Sequence, residues 1–150
     1  MKVREIIVRE VICARPEATL REVAALMRDN DVGAMPICEG TRLVGMITDR
    51  DIVITCAAMG NSSLDCQAQN FMRKNPITVT LDASLEEAAK IMAEKQVRRL
   101  PVLGGDRVVG ILSLGDLALA LAGNDKLVAN TLRRISTPLL EAVAERRERE

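Results

Sequence analysis

The chain has 150 residues, 48% of them hydrophobic, and its 21 basic side chains balance 21 acidic ones. This length suits one compact domain or two small halves, and the balanced charge argues against a general attraction to nucleic acid or anionic lipid. The chain has no histidine and a single aromatic residue, Phe71, which argues against a histidine-based zinc site and against base stacking on aromatic side chains.

The sequence contains an internal repeat. When residues 11–52 are shifted by 65 positions, they align without a gap on residues 76–117, with roughly thirteen identical pairs among about forty-two. Two copies of one unit predict two copies of any site that the unit carries. We divide the chain into repeat one (1–58), a linker (59–68), repeat two (69–122) and a C-terminal helical tail (123–150).

Each copy is predicted to fold as strand, helix, strand, strand, helix. Apolar spacing and turn residues place a lead-in helix at Lys2–Val8, a strand at Ile12–Arg15, a helix at Thr19–Asn30, strands at Ala34–Cys38 and Leu43–Ile47, and a helix from Thr48 or Asp49 to near Gly60. Thr19 and Glu22 have the spacing of a capping box, in which a hydroxyl and a carboxylate satisfy free backbone donors at a helix start.

The second copy repeats this pattern and is followed by the tail. Its elements are a lead-in helix at Gln69–Arg73, a capping box at Ser84 and Glu87, strands at Leu100–Leu103 and Val108–Leu112, a helix from Ser113 to Gly123, and tail helices at Asp125–Ile135 and Leu139–Arg149. The segment Ser136-Thr137-Pro138 is predicted to separate the tail helices. The alternating charges of Glu145–Glu150 favour a solvated helix end over a partner-binding helix.

The four cysteines form no close pair in the sequence. They lie at positions 13, 38, 56 and 66, a spacing that indicates neither a disulfide framework nor a thiol redox motif. Cys13 and Cys38 fall in strand-like runs, and we interpret them as small buried hydrophobic residues.

The most informative motif is G-h-h-[T/S]-x-x-D, present as Gly45–Asp51 and as Gly110–Asp116. One interpretation is structural, because a hydroxyl residue followed three places later by an acid is another capping box. The other is functional: a glycine inside a strand admits close backbone approach, the following helix start offers free N–H donors to an anion, and a carboxylate can accept both hydroxyls of a ribose. The duplication at the repeat offset favours a binding site.

With these motifs, residues 1 to about 122 resemble a tandem CBS-domain pair, or Bateman module, of the stand-alone bacterial type. The segments Val44–Ile52 and Val97–Val102 carry the resemblance. It implies an α/β (α+β) fold with two β-α-β-β-α repeats packed through their sheets into a pseudo-twofold disc, plus the C-terminal helices. Two clefts in such a disc bind AMP, ADP, ATP or S-adenosylmethionine, and such proteins form homodimers.

The resemblance also implies roles for individual residues. Asp51 and Asp116 are expected to hold ribose hydroxyls, while Thr48 and Ser113 contact phosphate or ribose. Arginine suits phosphate oxygens, although an exposed arginine pair can also simply cover the surface. Arg15 departs from the family pattern at the rim of the first site. The implied ligand-binding residues are Val32, Gly33, Ala34, Pro36, Thr48, Arg50, Asp51, Thr78, Val97, Arg98, Arg99, Pro101, Ser113 and Asp116.

The expected function is that of a cytoplasmic regulatory module, involved in energy sensing, that binds an adenosine nucleotide or S-adenosylmethionine and modulates a partner protein. No catalytic residue, metal or required cofactor is expected, and no apolar run is long enough for a membrane span. The alternative is a purely structural module for dimerisation or protein interaction, with unoccupied clefts. DNA binding through the arginines of the tail is disfavoured because interleaved acids cancel their charge.

Overall fold

The computed structural model describes residues 1–7 and 10–149, which form two compact units. The repeat-one unit comprises Glu10–Pro76 with Gly105–Val108, and the repeat-two unit comprises Met1–Arg9, Ile77–Gly104 and Val109–Glu150. Both units combine helices with strands, which confirms the predicted α/β fold class. The four-segment division of the chain stays a prediction.

From its first helix onward, the repeat-one unit follows the predicted order of elements. They are α1 (Leu20–Asn30), β1 (Ala34–Glu39), β2 (Arg42–Thr48), α2 (Asp49–Met59), 3₁₀ helices at Asn61–Asp65 and Ala68–Asn70, and β3 (Arg73–Lys74). Strand β2 pairs antiparallel with both β1 and β3. The pairing of β2 with β3 brings the segment after α2 back to the strand that precedes it.

Helix α1 forms because its apolar side chains recur at helical spacing and its start is capped. Thr19 Oγ1 accepts a hydrogen bond from the Glu22 amide, and the Glu22 carboxylate accepts one from the Thr19 amide. Leu20 and Val23 are fully buried. They pack with Met35, Ile37 and Ile47 in a core that holds α1 against β1 and β2.

The repeat-two unit has the corresponding elements and the tail. They are a 3₁₀ helix at Val3–Glu5, β4 (Val79–Thr80), α3 (Leu85–Lys95), β5 (Arg99–Gly104), β6 (Arg107–Ser113, of which the first two residues belong to the repeat-one unit), α4 (Leu114–Ala120) and α5 (Asp125–Arg149). Strand β4 runs parallel to β5. The core is built from Leu85, Met92, Leu100, Leu112 and Leu117, all almost fully buried.

The prediction of two tail helices was wrong, because α5 continues through Ser136-Thr137-Pro138. A proline inside a helix has no N–H for the carbonyl four residues earlier. That carbonyl belongs to Arg134, and the side-chain amide of Gln96 donates to it at 3.3 Å. Ile135 is buried in the repeat-two core, so packing holds the helix together at the point where its own hydrogen bonding is interrupted.

Three shorter predictions also need correction. The strand predicted at Ile12–Arg15 is reduced to one bridge, from Ala14 to Ile37. The lead-in helices are single 3₁₀ turns at Val3–Glu5 and Ala68–Asn70; Val8 lies outside the described residues. Helix α4 ends at Ala120, before Gly123. Segments this short make few hydrogen bonds of their own, so tertiary contacts decide their conformation.

Candidate functional site

The turn at the end of each first helix sets the position of the segment that enters the candidate site. Asp31 and Gln96, at equivalent places in the repeat, adopt left-handed backbone angles with φ of 52° and 55°. The amides of Val32 and Val97 each donate to the carbonyl five residues earlier, at 3.0 and 3.1 Å. This is the bonding of a Schellman turn, and it closes each helix while aiming the chain into the following strand.

A backbone hydrogen bond then ties that segment to the start of the second helix in each repeat. The amide of Asp49 donates to the carbonyl of Gly33 at 3.0 Å, and the amide of Leu114 donates to the carbonyl of Arg98 at 2.8 Å. The predicted residues 33 and 98 therefore meet the predicted T/S-x-x-D segments. The structure brings these two parts of each candidate site together through main-chain atoms.

The duplicated motif forms a capping box in both units. Thr48 Oγ1 accepts from the Asp51 amide at 3.1 Å, and an Asp51 carboxylate oxygen accepts from the Thr48 amide at 3.0 Å. The corresponding distances between Ser113 and Asp116 are 3.0 and 2.7 Å. The structural interpretation of the motif, a capping box, is thus confirmed in both units. The capping bonds do not use every acceptor position of each carboxylate, because an ionised aspartate can accept about four hydrogen bonds.

Arg73 is a residue of the first site that the sequence analysis missed. Its Nη2 atom lies 3.3 Å from Oδ1 of Asp51, the oxygen that does not cap Thr48. The Asp51 side chain is 18% exposed and that of Arg73 is 74% exposed. The sequence pattern predicts a lead-in helix that ends at Arg73, whereas this residue lies on β3 opposite Met46 of β2. Only that strand pairing brings it to Asp51.

The space above Gly45 is filled by the chain itself. A Cβ atom at this position would lie 2.8 Å from Cγ of Met72 and 3.1 Å from the carbonyl oxygen of Arg73. The glycine does permit a close approach, as the motif predicts, but the approaching group is the β3 segment. Gly45 is therefore required by the strand pairing of the repeat-one unit.

The remaining candidate residues differ in exposure. Pro36, Pro101 and Ala34 are buried, and Gly33, Val97 and Thr78 are partly buried. Thr78 directly precedes Val79, which pairs with Val102; one step back along this parallel register places Thr78 beside Pro101. Val32 is 41% exposed.

The arginines predicted to bind phosphate are accessible. Arg50, Arg98 and Arg99 are exposed, and among the side chains that the structure describes, no carboxylate lies within ion-pair distance of any of them. Two of the three lie at the main-chain hydrogen bond of the repeat-two unit: the Arg98 carbonyl accepts from the Leu114 amide, and Arg99 is the next residue. No described carboxylate therefore neutralises Arg98 and Arg99.

Neither a metal cluster nor a membrane span is found in the described part of the chain. Among the side chains that the structure describes, no group of three or more cysteine, aspartate and glutamate residues comes together as possible metal ligands. In the same residues, no helix combines the length and the apolar character that crossing a bilayer requires.

The comparisons with known proteins agree with the repeat. The family profile of the CBS domain matches residues 3–57 and 68–123. CBS domain-containing protein YhcV of Bacillus subtilis is 36% identical over 123 residues, covering 82% of this chain and 87% of its own. Hypoxic response protein 1 of Mycobacterium tuberculosis is 37% identical over 137 residues, covering 91% and 94%.

Solved structures show the same fold. The crystal structure of Hypoxic Response Protein I, which holds two coordinated zinc ions, superposes with a TM-score of 0.72 at 39% identity, covering 81% of this chain and 99% of that one. The CBS domain pair of protein MJ0100, solved with 5-methylthioadenosine and S-adenosyl-L-methionine, gives 0.73 at 26% identity, covering 82% and 97%. Two family matches, repeated elements and these neighbours lead to one conclusion: the chain belongs to the CBS domain family and carries its domains as a tandem pair.

Proposed function

We propose that this CBS pair is a regulatory module that binds an adenosine nucleotide or S-adenosylmethionine and thereby changes the behaviour of a partner protein. The observation that carries the proposal is the duplicated Thr/Ser–Asp arrangement, tied in each unit to the segment at Gly33 or Arg98. Each arrangement offers a carboxylate with remaining acceptor capacity beside main-chain groups, which suits the paired hydroxyls of a ribose.

The ligand class is supported by charge and by similarity. Arg98 and Arg99 are exposed cations with no ion-pair partner among the described side chains, and a guanidinium binds phosphate oxygens through paired hydrogen bonds. The MJ0100 domain pair, 26% identical to this chain, binds two adenosyl compounds. We infer an adenosyl ligand, with the repeat-two unit better equipped for one that carries phosphate.

Regulation would follow from a difference in affinity between two conformations. A ligand shifts a conformational equilibrium only by as much as it binds one state better, and coupling of about 1–3 kcal/mol is typical. Small-angle scattering and hydrogen exchange, each measured with and without ligand, test this part. Unchanged profiles at saturating ligand would reject the population shift while leaving binding intact.

Ligand binding is tested by thermal unfolding against AMP, ADP, ATP, S-adenosylmethionine and GTP. A ligand at a hundred times its dissociation constant adds about 2.7 kcal/mol of stability, which moves the midpoint by several degrees. The decisive variant is Asp116→Ala. Its matched control is Glu87→Ala, because Glu87 closes the same kind of capping box at α3, where the CBS resemblance implies no ligand contact.

Both variants lose a cap, so both are expected to be destabilised by about 1 kcal/mol. Only Asp116→Ala should also lose the ligand-induced rise in midpoint. No rise with any adenosyl compound would favour the structural alternative, in which the clefts are unoccupied. An equal loss of the rise in both variants would mean that the Asp116 carboxylate serves only as a cap and does not contact the ligand.

We also propose that the module forms a homodimer through the outer faces of its second helices. Helix α2 exposes Val53 and Ile54, and α4 exposes Leu119 to 82%. Ile54 and Leu119 occupy equivalent places in the repeat, and exposed apolar patches mark interaction sites. Light scattering coupled to size exclusion should show a dimer for the wild type and a monomer for Ile54→Glu combined with Leu119→Glu; a monomeric wild type would reject the proposal.

A further inference from the structure

Cys13 and Cys38 are neighbours in the repeat-one unit although they are far apart in the sequence. The amide of Ala14 donates to the carbonyl of Pro36, and the amide of Cys38 donates to the carbonyl of Ala14, both at 2.9 Å. These bonds form a parallel bridge between Ala14 and Ile37. Because successive side chains of an extended chain point to opposite faces, Cys13 and Cys38 share the face opposite Ala14 and Ile37, at diagonal positions on the two segments.

The two thiols interact directly and unequally. The pKa of Cys13 is lowered, first because the Cys38 thiol donates a hydrogen bond to it, while burial acts in the opposite direction. The pKa of Cys38 is raised by the same hydrogen bond, by burial and by the charge of Cys13. Cys13 is therefore the thiol of the pair that loses its proton more readily, and the thiolate is the nucleophilic form of cysteine.

Access to the pair is one-sided. Cys13 is partly exposed and lines an open groove of about 760 Å³ whose wall includes Arg15. Cys38 is only 3% exposed. A reagent in the groove can reach Cys13, whereas Cys38 is shielded from solvent.

The backbone at Cys38 is irregular, which affects the direction of its side chain. The register between β1 and β2 shifts at Ile37 and Cys38, as in a β-bulge. Bulges redirect side chains locally. The irregularity lies at the cysteine that must turn toward its neighbour if the two sulfur atoms are to bond.

We propose that Cys13 and Cys38 form a site of reversible oxidation, at which a hydroperoxide converts the two thiols into an intramolecular disulfide. The Cys13 thiolate attacks the peroxide oxygen and becomes a sulfenic acid, and the peroxide leaves as hydroxide or, for an organic hydroperoxide, as alkoxide. Cys38 then attacks the sulfenic sulfur, the S–S bond forms, and the sulfenic oxygen departs as water with the help of the Cys38 proton. In total, two thiols lose two electrons and two protons, and hydrogen peroxide becomes two molecules of water.

The disulfide would close a loop that contains α1 and the segment from Val32 to Pro36. A cross-link of this kind restricts the unfolded chain and stabilises the folded one. The inference stands on the thiol pair alone and does not depend on the proposed adenosyl ligand. It differs from the expectation that Cys13 and Cys38 are only small buried hydrophobic residues.

The experiment is a peptide map of the full chain before and after treatment with a small excess of hydrogen peroxide. Trypsin does not cleave Arg15–Pro16, so Cys13 lies on peptide 10–21, Cys38 on peptide 29–42, and both Cys56 and Cys66 on peptide 51–73. We expect a linked species of the first two peptides, an intact mass lower by about 2 Da, and reversal by dithiothreitol. The thermal midpoint of the oxidised protein should rise by several degrees.

Three variants complete the test. Cys13→Ser and Cys38→Ser should both abolish the linked peptides and the rise in midpoint, while the matched control Cys56→Ser should keep both. Higher oxidation of Cys13 without a link, or a link that involves only peptide 51–73 or two chains, would overturn the proposal. If a serine variant fails to fold, the wild-type peptide map still decides.

Discussion

Arg73 and Asp51 form an ion pair that joins strand β3 to the start of α2, with 3.3 Å between Nη2 and Oδ1. The other carboxylate oxygen of Asp51 accepts from the Thr48 amide. Asp51 therefore connects β3, through Arg73, with the N-terminal cap of α2. Since the Arg73 side chain is 74% exposed, solvent screens the pair, and its contribution to stability should be small.

We predict that Arg73→Gln lowers the free energy of unfolding by at most about 1 kcal/mol, and that Asp51→Asn, which also weakens the cap, costs about 1–2 kcal/mol. Urea unfolding of the two single variants and the double variant measures their coupling, expected below about 1 kcal/mol. A coupling well above this value would show that the pair is more strongly shielded from solvent than its exposure indicates.

Gly45 should tolerate no side chain. We predict that Gly45→Ala destabilises the protein by about 2 kcal/mol or more, because the added Cβ meets the Arg73 carbonyl, and main chain in a paired strand cannot easily move. The Met72 side chain is flexible and can move aside, so the contact with the Arg73 carbonyl determines whether the substitution destabilises the protein. Chemical denaturation followed by circular dichroism provides the measurement.

Gly115→Ala is the matched control for that substitution. Gly115 lies in the first turn of α4, and a Cβ there would meet only Ser113 Oγ, at an ordinary 3.5 Å. Replacing a helical glycine by alanine stabilises by roughly 0.5–1 kcal/mol where space allows. If both alanine variants were equally destabilised, the close approach at Gly45 would not be the cause.

Because α5 lacks a main-chain hydrogen bond at Pro138, the Gln96 side chain should contribute more to the free energy of unfolding than a surface residue normally does. We predict that Gln96→Asn, which tolerates the left-handed backbone but shortens the side chain, costs about 0.5–1.5 kcal/mol. In the background of Pro138→Ala, residue 138 can itself donate to the Arg134 carbonyl, so the cost of Gln96→Asn should fall. An unchanged cost, measured by urea unfolding of all four proteins, would show that the Gln96 hydrogen bond contributes nothing.

Local patterns predicted the regular elements well. The four Thr/Ser–acid pairs form the caps that their spacing indicated, at Thr19, Thr48, Ser84 and Ser113. Helices α1 and α3 and the four long strands follow, because hydrophobic periodicity and capping are both local signals.

Contacts between distant segments could not be predicted. Arg73 reaches Asp51 only because β3 pairs with β2, and Cys13 meets Cys38 only through the bridge at Ala14. Pro138 indicated a helix boundary by its local chemistry, but buried Ile135 and the amide of Gln96 override that preference. In each case a tertiary contact outweighs a weak local signal.

The last prediction concerns Arg98 and Arg99 and rests on the proposed function. Their side chains are exposed, whereas the contact of residue 98 with Leu114 uses its main-chain carbonyl, so replacing both by glutamine should preserve the fold. We predict a loss of ATP affinity of at least about tenfold and less than about twofold for adenosine, because only ATP carries the phosphates that the guanidinium groups recognise.

Isothermal titration calorimetry of the two ligands at low and high salt measures this difference, with Lys95→Gln as the control for removing one exposed positive charge. Since screening weakens exposed charge interactions, the ATP affinity of the wild type should fall with salt more steeply than that of the double variant. Equal weakening of adenosine and ATP would instead mean that the arginine pair shapes the site without contacting phosphate.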